Sequence, residues 1–485
     1  MKPGYAGVPE RYKARLVAKG FTQCYGTDYN ETFSPVLKYN SLRTILAIAV
    51  HRDLDITLLD VKTAFLNGDL KEEVFMEQPE GLISPGKEDH VCLLKKSLYG
   101  LKQAPRMWNE KFNRFLVKFG LSRSEFDSCV YFRRNSKEIL IVAIFVDDAL
   151  VCASNKLLAK GVTDFLSEEF DMHCLPATRF LGLDLHKEDG RLVVNQPEFI
   201  KKILIKFYME SCNATSIPSD PGIRLTTEMS PTSEEEKNDM ANVPYREAVG
   251  CLLYLSITCR PDISFAVSQV AKFCQNPGRA HWNAVKKIIA YLSGTTPRGI
   301  VFEKKEGPPI FGYTDADYGG DLDNRYSTSG STFFVHGNLV SWSSKRQKCV
   351  SLSTTEAEYV AASDSSKEAV WLSSLLIEIG ETSKQPVPIF CDNQSAIQSI
   401  RNPAFHQRTK HIDIKYHFVR SLQENQIIDV SFVPSKEQKA DMFTKPLPRS
   451  EFNRMCTNLG MYDNSLISGP ASLRGDVESQ QPSGP

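Results

Sequence analysis

The feature that most restricts how this chain can fold is an acidic pair set into a long apolar run. Residues 139–146 read Ile-Leu-Ile-Val-Ala-Ile-Phe-Val, Asp147 and Asp148 follow, and Ala149-Leu150-Val151-Cys152 resumes the apolar pattern. Runs of this kind read as buried strands. Two of them with acids between predict a hairpin that carries adjacent carboxylates at its turn. A further strand-like run, Asp55-Ile56-Thr57-Leu58-Leu59-Asp60-Val61, also has an acid near its end. Like charges beside buried strands are costly, and a divalent cation removes that cost because its own charge dominates the local field. Oxygen-only ligands favour magnesium, and two such ions about 4 Å apart suit in-line phosphoryl transfer. Taken alone, Asp147-Asp148 reads more readily as a solvent-exposed turn, because Asp favours turns.

Length and composition leave room for several such sites without choosing a partner. The chain has 485 residues, 41% of them hydrophobic, enough for large cores and roughly two to four domains. The net charge is zero, so any attraction to nucleic acid has to come from local charge. Twelve cysteines lie scattered from Cys24 to Cys456, with no Cys-x-x-Cys pair and no His pair at zinc-finger spacing. They read as reduced core thiols rather than a disulfide framework. Met1-Lys2-Pro3-Gly4-Tyr5 has no apolar signal core, and no stretch approaches the ~20 apolar residues of a membrane span. Secretion and membrane insertion are not expected; cytoplasm and nucleus are both compatible.

Three ordered regions are expected. In the first, about residues 11–218, strand runs alternate with helical patterns at 40–50 and 108–119. Residues 226–242, which include Ser233-Glu234-Glu235-Glu236-Lys237, read as an exposed linker or long loop. Residues 245–292 are mostly helical, with Val249, Leu252 and Leu253 at helical spacing. The region at about 309–448 opens with strands near 311–315, 331–336 and 339–343, then has a long helix near 355–380 and a strand at 387–391. From about residue 465 the tail is rich in Ser, Pro, Gly and Gln and is expected to be disordered.

The company of the first acids resembles a known family. Phe145-Val146-Asp147-Asp148 resembles the aromatic-x-Asp-Asp signature of reverse transcriptases, and Leu59-Asp60-Val61-Lys62-Thr63-Ala64-Phe65-Leu66 resembles their first catalytic motif. Ser97-Leu98-Tyr99-Gly100-Leu101-Lys102-Gln103-Ala104-Pro105-Arg106 is similar to the template- and nucleotide-contacting motif between them. Arg11-Tyr12-Lys13-Ala14-Arg15-Leu16-Val17-Ala18-Lys19-Gly20 and Glu31-Thr32-Phe33-Ser34-Pro35-Val36 resemble copia-type retrotransposon polyproteins, as do Phe180-Leu181-Gly182 and Tyr291-Leu292-Ser293-Gly294-Thr295. The resemblance extends to about residue 462. It implies a right-hand polymerase of fingers, palm and thumb in which Asp60 and Asp147 hold both ions. Asp148 would shape the site or bind an ion weakly. Phe65 matches the family's aromatic steric gate, which would clash with a ribose 2′-hydroxyl and favour deoxynucleotides. Lys13 and Arg15 would grip the triphosphate, and Gly100 would let backbone approach nucleotide or template. Without the resemblance, Phe65 is a core phenylalanine, Lys13 and Arg15 a solvated basic strand, and Gly100 a turn glycine. Lys95, Lys96, Lys102, Arg106, Lys111, Arg114, Lys118 and Arg123 offer a basic groove, or else a basic helix face. Phe145 stands where many relatives have Tyr, which removes a hydroxyl and no ligand.

A second set of acids follows the same design. Gly312-Tyr313-Thr314-Asp315 and Ile389-Phe390-Cys391-Asp392 end strands, Ser353-Thr354-Thr355-Glu356-Ala357-Glu358 opens a helix, and Asp441 lies on an expected helix. Each has an ordinary role open to it. Asp392 could cap a helix starting at Asn393, and both Thr355 with Glu358 and Ser353 with Glu356 fit a capping box. In this order the segments resemble the copia-type ribonuclease H domain, together with Lys410-His411-Ile412-Asp413-Ile414-Lys415-Tyr416-His417 and Ala440-Asp441-Met442-Phe443-Thr444-Lys445-Pro446-Leu447. The resemblance implies a mixed sheet with flanking helices whose Asp315, Glu358, Asp392 and Asp441 hold two magnesium ions. Glu358 is preferred over Glu356 because Glu358-Tyr359-Val360-Ala361-Ala362 fits the family pattern; if Ser353 is the cap, Glu356 is taken and Glu358 is left for metal. His411 and His417 stand outside the core site.

The resemblance as a whole implies an α+β, mixed α/β chain. Its modules would be truncated fingers and palm at 1–218, linker and helical thumb or connection at 219–300, a ribonuclease H-like domain at 301–462 and a tail at 463–485. It implies RNA-directed DNA synthesis and cleavage of RNA–DNA hybrids, with Mg2+ (two per active site, Mn2+ as a substitute). The implied partners are an RNA template, a DNA primer, the hybrid, deoxynucleoside triphosphates and other Pol segments; the implied location is a cytoplasmic virus-like particle or the nucleus. Members of the family extend upstream with a lysine-bearing strand that completes the fingers. The competing expectation is therefore an inactive or co-opted relic that binds nucleic acid only.

Overall fold

The computed structural model describes residues 12, 14–135, 138–382, 385–402 and 413–462. Lys13, His411 and the tail at 463–485 lie outside them. In chain order the first elements are α1 (Tyr39–His51), β1 (Asp55–Val61), the hairpin β2 (Asp69–Glu77) and β3 (Val91–Lys96), and α2 (Ala104–Lys118). Strands β4 (Ser122–Arg123), β5 (Val130–Arg134), β6 (Ile139–Phe145) and β7 (Asp148–Ala153) follow, then α3 (Lys156–Ser167) and β8 (Met172–Pro176). Six of these strands form one antiparallel sheet in the order β4-β5-β6-β7-β1-β8. The period of two is plain in its packing. Leu140, Val142 and Ile144 of β6, Leu59 and Val61 of β1, and Val151 of β7 share a core with Trp108, Phe112 and Leu116 of α2 and Val162 and Leu166 of α3. Each such side chain contributes about 1.5–3 kcal/mol on full burial, so the strands that end on acids are the best anchored in the sheet.

Strands β9 (Arg179–Phe180) and β10 (Leu183–Glu188) pair antiparallel, and β11 (Arg191–Asn195) follows. The next stretch holds α4 (Pro197–Lys206), α5 (Glu234–Ala241), α6 (Tyr245–Thr258), α7 (Ser264–Ala271), α8 (Arg279–Gly294) and β12 (Gly299–Phe302). Helix α5 corrects the expectation of a linker or loop at 226–242. Ser233 and Glu236 close a reciprocal capping box at its start, which satisfies donors that an exposed, acidic helix would otherwise leave open. Between α6 and α8, Arg260 and Asp262 form a fully buried ion pair at 2.7 Å, and the Tyr291 hydroxyl donates to Asp262 Oδ2 at 2.6 Å.

The last sheet is mixed. Strands β13 (Ile310–Asp317), β14 (Thr328–Val335) and β15 (Asn338–Arg346) form an antiparallel meander, and helix α9 (Thr354–Ile379) crosses to β16 (Val387–Cys391). Helices α10 (Gln394–Arg401) and α11 (Asp413–Glu424) precede β17 (Ile428–Phe432). The spatial order is β15-β14-β13-β16-β17, with β16 parallel to both β13 and β17. This is the mixed sheet with flanking helices that the motifs imply. Helix α12 (Arg449–Asn458) and β18 (Met461–Tyr462) end the described chain, and β18 pairs with β12.

Contacts sort the chain into two compact units, whose described residues fall within 12–192, 302–321 and 325–441 in one and within 193–301, 322–324 and 442–462 in the other. The six-stranded and the mixed sheet thus belong to one unit. Helix α1 explains why. Every residue from Ser41 to Val50 is buried, and a helix buried on all sides needs a packing layer on each. It contacts β7 of one sheet and β14 and β15 of the other. Its buried Arg43 donates to the Val340 carbonyl at 2.6 Å and lies 4.0 Å over the Trp342 ring. Farther along, Gly380 ends α9 in the left-handed conformation at φ 80°. That turn delivers the fully buried Glu381 side chain to Arg52 at 3.1 Å, His336 at 3.3 Å and Arg134 at 3.4 Å.

Burial alone would raise the Glu381 carboxyl, but the His336 hydrogen bond and the Arg52 charge outweigh it and hold it below its ordinary value. A depressed carboxylate contributes stability that is complete above its unfolded value and is lost as pH falls through the folded one. Glu381→Gln is expected to cost about 2 kcal/mol at pH 7, since both arginines are partly solvated. Denaturant unfolding of the two proteins checks this, and their difference should shrink as pH falls past the ordinary glutamate value and vanish only below the lowered folded one.

Candidate active site

The β6–β7 hairpin carries Asp147 and Asp148 to the place where β1 ends. In register, Asp148 faces Phe145 on one side and Asp60 on the other. The Val61 amide donates to the Asp147 carbonyl at 2.9 Å, tying β1 to the turn. The three aspartates are half-buried. On its other flank Asp60 faces His173 of β8, a neighbour that no motif announced. The turn is strained, because Val146 sits at φ 55°, a region that β-branched residues rarely enter. Trp108 holds it there: its Nε1 donates to the Val146 carbonyl at 2.5 Å, while its ring packs 5.0 Å from Phe112 and 5.2 Å from Phe170. Helix α2 therefore fixes the turn that bears the acids. The spacing of Trp108 marks it as core, and nothing local reveals its bond to residue 146.

The other candidates of this region lie around Phe65. Its ring is 5.2 Å from Tyr99, and the exposed Arg15 places its guanidinium 5.4 Å over the same Tyr99 ring. Phe65 also lines a cavity of about 330 Å³ together with Trp108, Ile144 and Val146, which brings it beside the turn. Gly100 has φ 93°, and a Cβ there would lie 2.1 Å from the Ala18 carbonyl oxygen. The close approach that this glycine permits is thus to the protein's own chain, where the Ala18 amide donates to the Tyr99 carbonyl at 2.7 Å. The basic residues are largely engaged within the fold. Arg106 pairs with Glu31 at 2.9 Å, Lys111 with Glu169 at 3.0 Å and Arg114 with Asp69 at 2.8 Å, while Lys95 and Lys96 stay exposed.

Asp315, Glu358 and Asp392 of the second set come together where the neighbouring inner strands β13 and β16 end. Of the two capping patterns, the one at Ser353 forms: its Oγ accepts from the Glu356 amide at 3.2 Å, and Glu356 Oε2 accepts from the Leu352 amide at 2.7 Å. Glu356 is held at the helix start. Glu358 turns to the sheet, where its Oε1 accepts from the Ala316 amide at 3.1 Å. Parallel pairing of β13 with β16 brings the strand ends bearing Asp315 and Asp392 side by side. The N-cap of α10 is Asn393, not Asp392, which leaves Asp392 to accept from Ser435 Oγ at 2.7 Å. Asp441 lies on a 3-10 turn, Lys439–Phe443, rather than an α-helix. Gln438 Nε2 donates to the Thr314 carbonyl at 2.9 Å, drawing that turn against β13. Asp315, Glu358 and Asp441 are buried and Asp392 half-buried. His417 is exposed.

Burial first, and then the charges of Asp315 and Asp392, push the Glu358 carboxyl well above its ordinary range. A divalent cation among these oxygens would relieve that repulsion, so the donor set fits a hard ion. Cys391 adds a thiol that the motif reading left aside, with its Sγ 3.9 Å from Glu358 Oε2.

Residues 4–221 match the family model described as reverse transcriptase (RNA-dependent DNA polymerase). The chain is 46% identical over 458 residues to the retrovirus-related Pol polyprotein from transposon TNT 1-94 of Nicotiana tabacum, covering 94% of this chain and 34% of that protein. It is 32% identical to the putative transposon Ty5-1 protein of Saccharomyces cerevisiae, covering 64% of this chain and all of that one (100%). Among solved structures, the LC11 ribonuclease H1 aligns at 15% identity and a TM-score of 0.22 over 31% of this chain and 97% of its own; the fold assignment here rests on strand order instead. The chain spans about a third of the length of the Pol polyproteins it matches.

Trp108→Phe keeps the ring packing and deletes the donor to Val146. It is expected to destabilise the protein by about 1 kcal/mol, the contribution of a part-buried hydrogen bond. Denaturant unfolding measures it, and an unchanged midpoint would show that the bond does not hold the turn.

Proposed function

Because the chain belongs to the family of copia-type, retrovirus-related Pol polyproteins, we propose that it copies RNA into DNA at one centre and cleaves the RNA strand of the resulting hybrid at another. The observation that carries this reading is two separate groups of carboxylates where strands end: Asp60 paired in register with Asp148 in one, and Glu358 beside Asp315 and Asp392 in the other, where the buried set fits a divalent cation. The modules would be fingers and palm at 1–218, a helical thumb or connection at 219–300, and the ribonuclease H-like domain at 301–462.

At the first centre Asp60 and Asp147 would hold the cations and Asp148 would shape the site, a role supported by its register opposite Asp60. At the second, Asp315, Glu358, Asp392 and Asp441 would hold them; the occupation of Glu356 at the helix start favours Glu358. Magnesium, or manganese in its place, would activate the attacking oxygen and stabilise the leaving one at either centre. Phe65, packed against Tyr99 and lining the cavity beside Val146, is suited to block a ribose 2′-hydroxyl. Arg15 and Lys13 would contact the triphosphate, and Gly100 would act by letting the segment at Ala18 close on the Tyr99 loop. The partners are an RNA template, a DNA primer, the hybrid and deoxynucleoside triphosphates, recognised by backbone and duplex shape. Among the described residues no helix is long and apolar enough to cross a membrane, and we place the protein in a cytoplasmic particle or the nucleus, with other Pol segments.

Primer extension on an RNA template with magnesium tests the first centre. Asp147→Asn with Asp148→Asn should lose about a thousandfold or more, as expected when several kcal/mol of charge stabilisation are removed. Asp392→Asn should lose hybrid cleavage while extension persists. If the wild type extends no better than the double variant, the reading falls back to a nucleic-acid-binding relic. Phe65→Ala should raise ribonucleotide incorporation at least about tenfold, measured by single-nucleotide insertion; unchanged selectivity would remove the gate from Phe65.

A further inference from the structure

Cys391 stands apart from the other buried thiols because it points into a group of metal-type ligands. The ligand atoms of Glu358, Cys391 and Asp392 all lie within 4.8 Å of one another. Cys391 and Glu358 are buried. The thiol is placed by the sheet. Cys391 is the last residue of β16, it pairs with Phe432, and its carbonyl accepts from the Val433 amide at 3.0 Å. The Asn393 amide is directed at Sγ from 3.5 Å. Backbone on both sides therefore fixes where the sulfur sits.

The donor set suits a softer ion than magnesium, and the spacing is compatible with it. Zinc bonds sulfur at about 2.3 Å and carboxylate oxygen at about 2.1 Å, so a tetrahedral site sets sulfur and oxygen roughly 3.6 Å apart. The observed separation of Cys391 Sγ from Glu358 Oε2 is 3.9 Å. A thiolate beside two carboxylates shifts preference from hard ions toward zinc and cadmium. Binding would move one proton from the thiol to solvent.

We propose that Glu358, Cys391 and Asp392 form a site for a thiophilic divalent cation of the zinc class, which blocks hybrid cleavage by taking Glu358 and Asp392 out of the hard-ion arrangement. The blocking part rests on the reading of this cluster as the ribonuclease H centre; the cation site itself does not. With zinc present, copying would continue while template removal stops.

Cadmium is the probe for the site. Metal-stripped full-length protein is titrated with Cd2+ while thiolate-to-cadmium absorption in the ultraviolet is followed, for wild type, Cys391→Ser and Asp392→Asn, each checked for folding by circular dichroism. The wild type should bind one equivalent that Cys391→Ser lacks. Asp392→Asn should bind the same equivalent at least about tenfold more weakly, the scale at which even outer-shell partners act. In magnesium-supported hybrid cleavage, Zn2+ should inhibit the wild type at a concentration at least about tenfold below that needed for Cys391→Ser, each relative to its own uninhibited rate. Equal cadmium absorption in wild type and Cys391→Ser would overturn the proposal. A cadmium difference without any hybrid cleavage by the wild type would uphold the cation site and overturn the cleavage reading instead.

Discussion

Carboxylates repel one another, and the repulsion grows as water is excluded. The rest of this structure is organised around holding two groups of them together. In the first group, Asp60 and Asp148 face each other across paired strands, and Asp147 completes the turn. In the second, Glu358 reaches from a helix to the ends of two strands, and its proton affinity rises in response. Left to themselves such groups would rotate toward solvent. They stay because they sit on the most deeply anchored elements of each sheet, at strand ends where the backbone has no slack.

The anchoring is long-range. Val146 keeps its left-handed conformation through a bond from Trp108, a residue of a helix that begins after an entire hairpin. Asp392 stays available because Asn393 takes the capping role beside it. Helix α1 gives both sheets a common packing layer, and Glu381 draws in partners from the residue that follows α1, from β5 and from the loop after β14.

Much of this could be read in the amino-acid order. The apolar runs around Asp60 and Asp147 and the strands leading to Asp315 and Asp392 are strongly patterned, and each falls where its pattern points. What escaped reading has a physical reason. Helix α5 is nearly all polar, so periodicity was silent and only Ser233 with Glu236 marked its start. The choice between Glu356 and Glu358 depended on which of two overlapping caps formed, and only packing decides that. The basic residues near α2 looked like a groove because their partners, Glu31, Asp69 and Glu169, lie far off in sequence. For Gly100, the close approach that the missing side chain permits is to the Ala18 carbonyl, a partner far off in the chain that no local pattern names. The thiol of Cys391 looked like core because strand periodicity does not show that its sulfur meets Glu358.

The account turns on whether the two acidic clusters hold cations. Anomalous scattering from crystals of the full chain grown with Mn2+ and a bound RNA–DNA hybrid answers that directly. The account predicts peaks among Asp60, Asp147 and Asp148 and among Asp315, Glu358, Asp392 and Asp441. Fully ordered clusters without a peak at either place would contradict it.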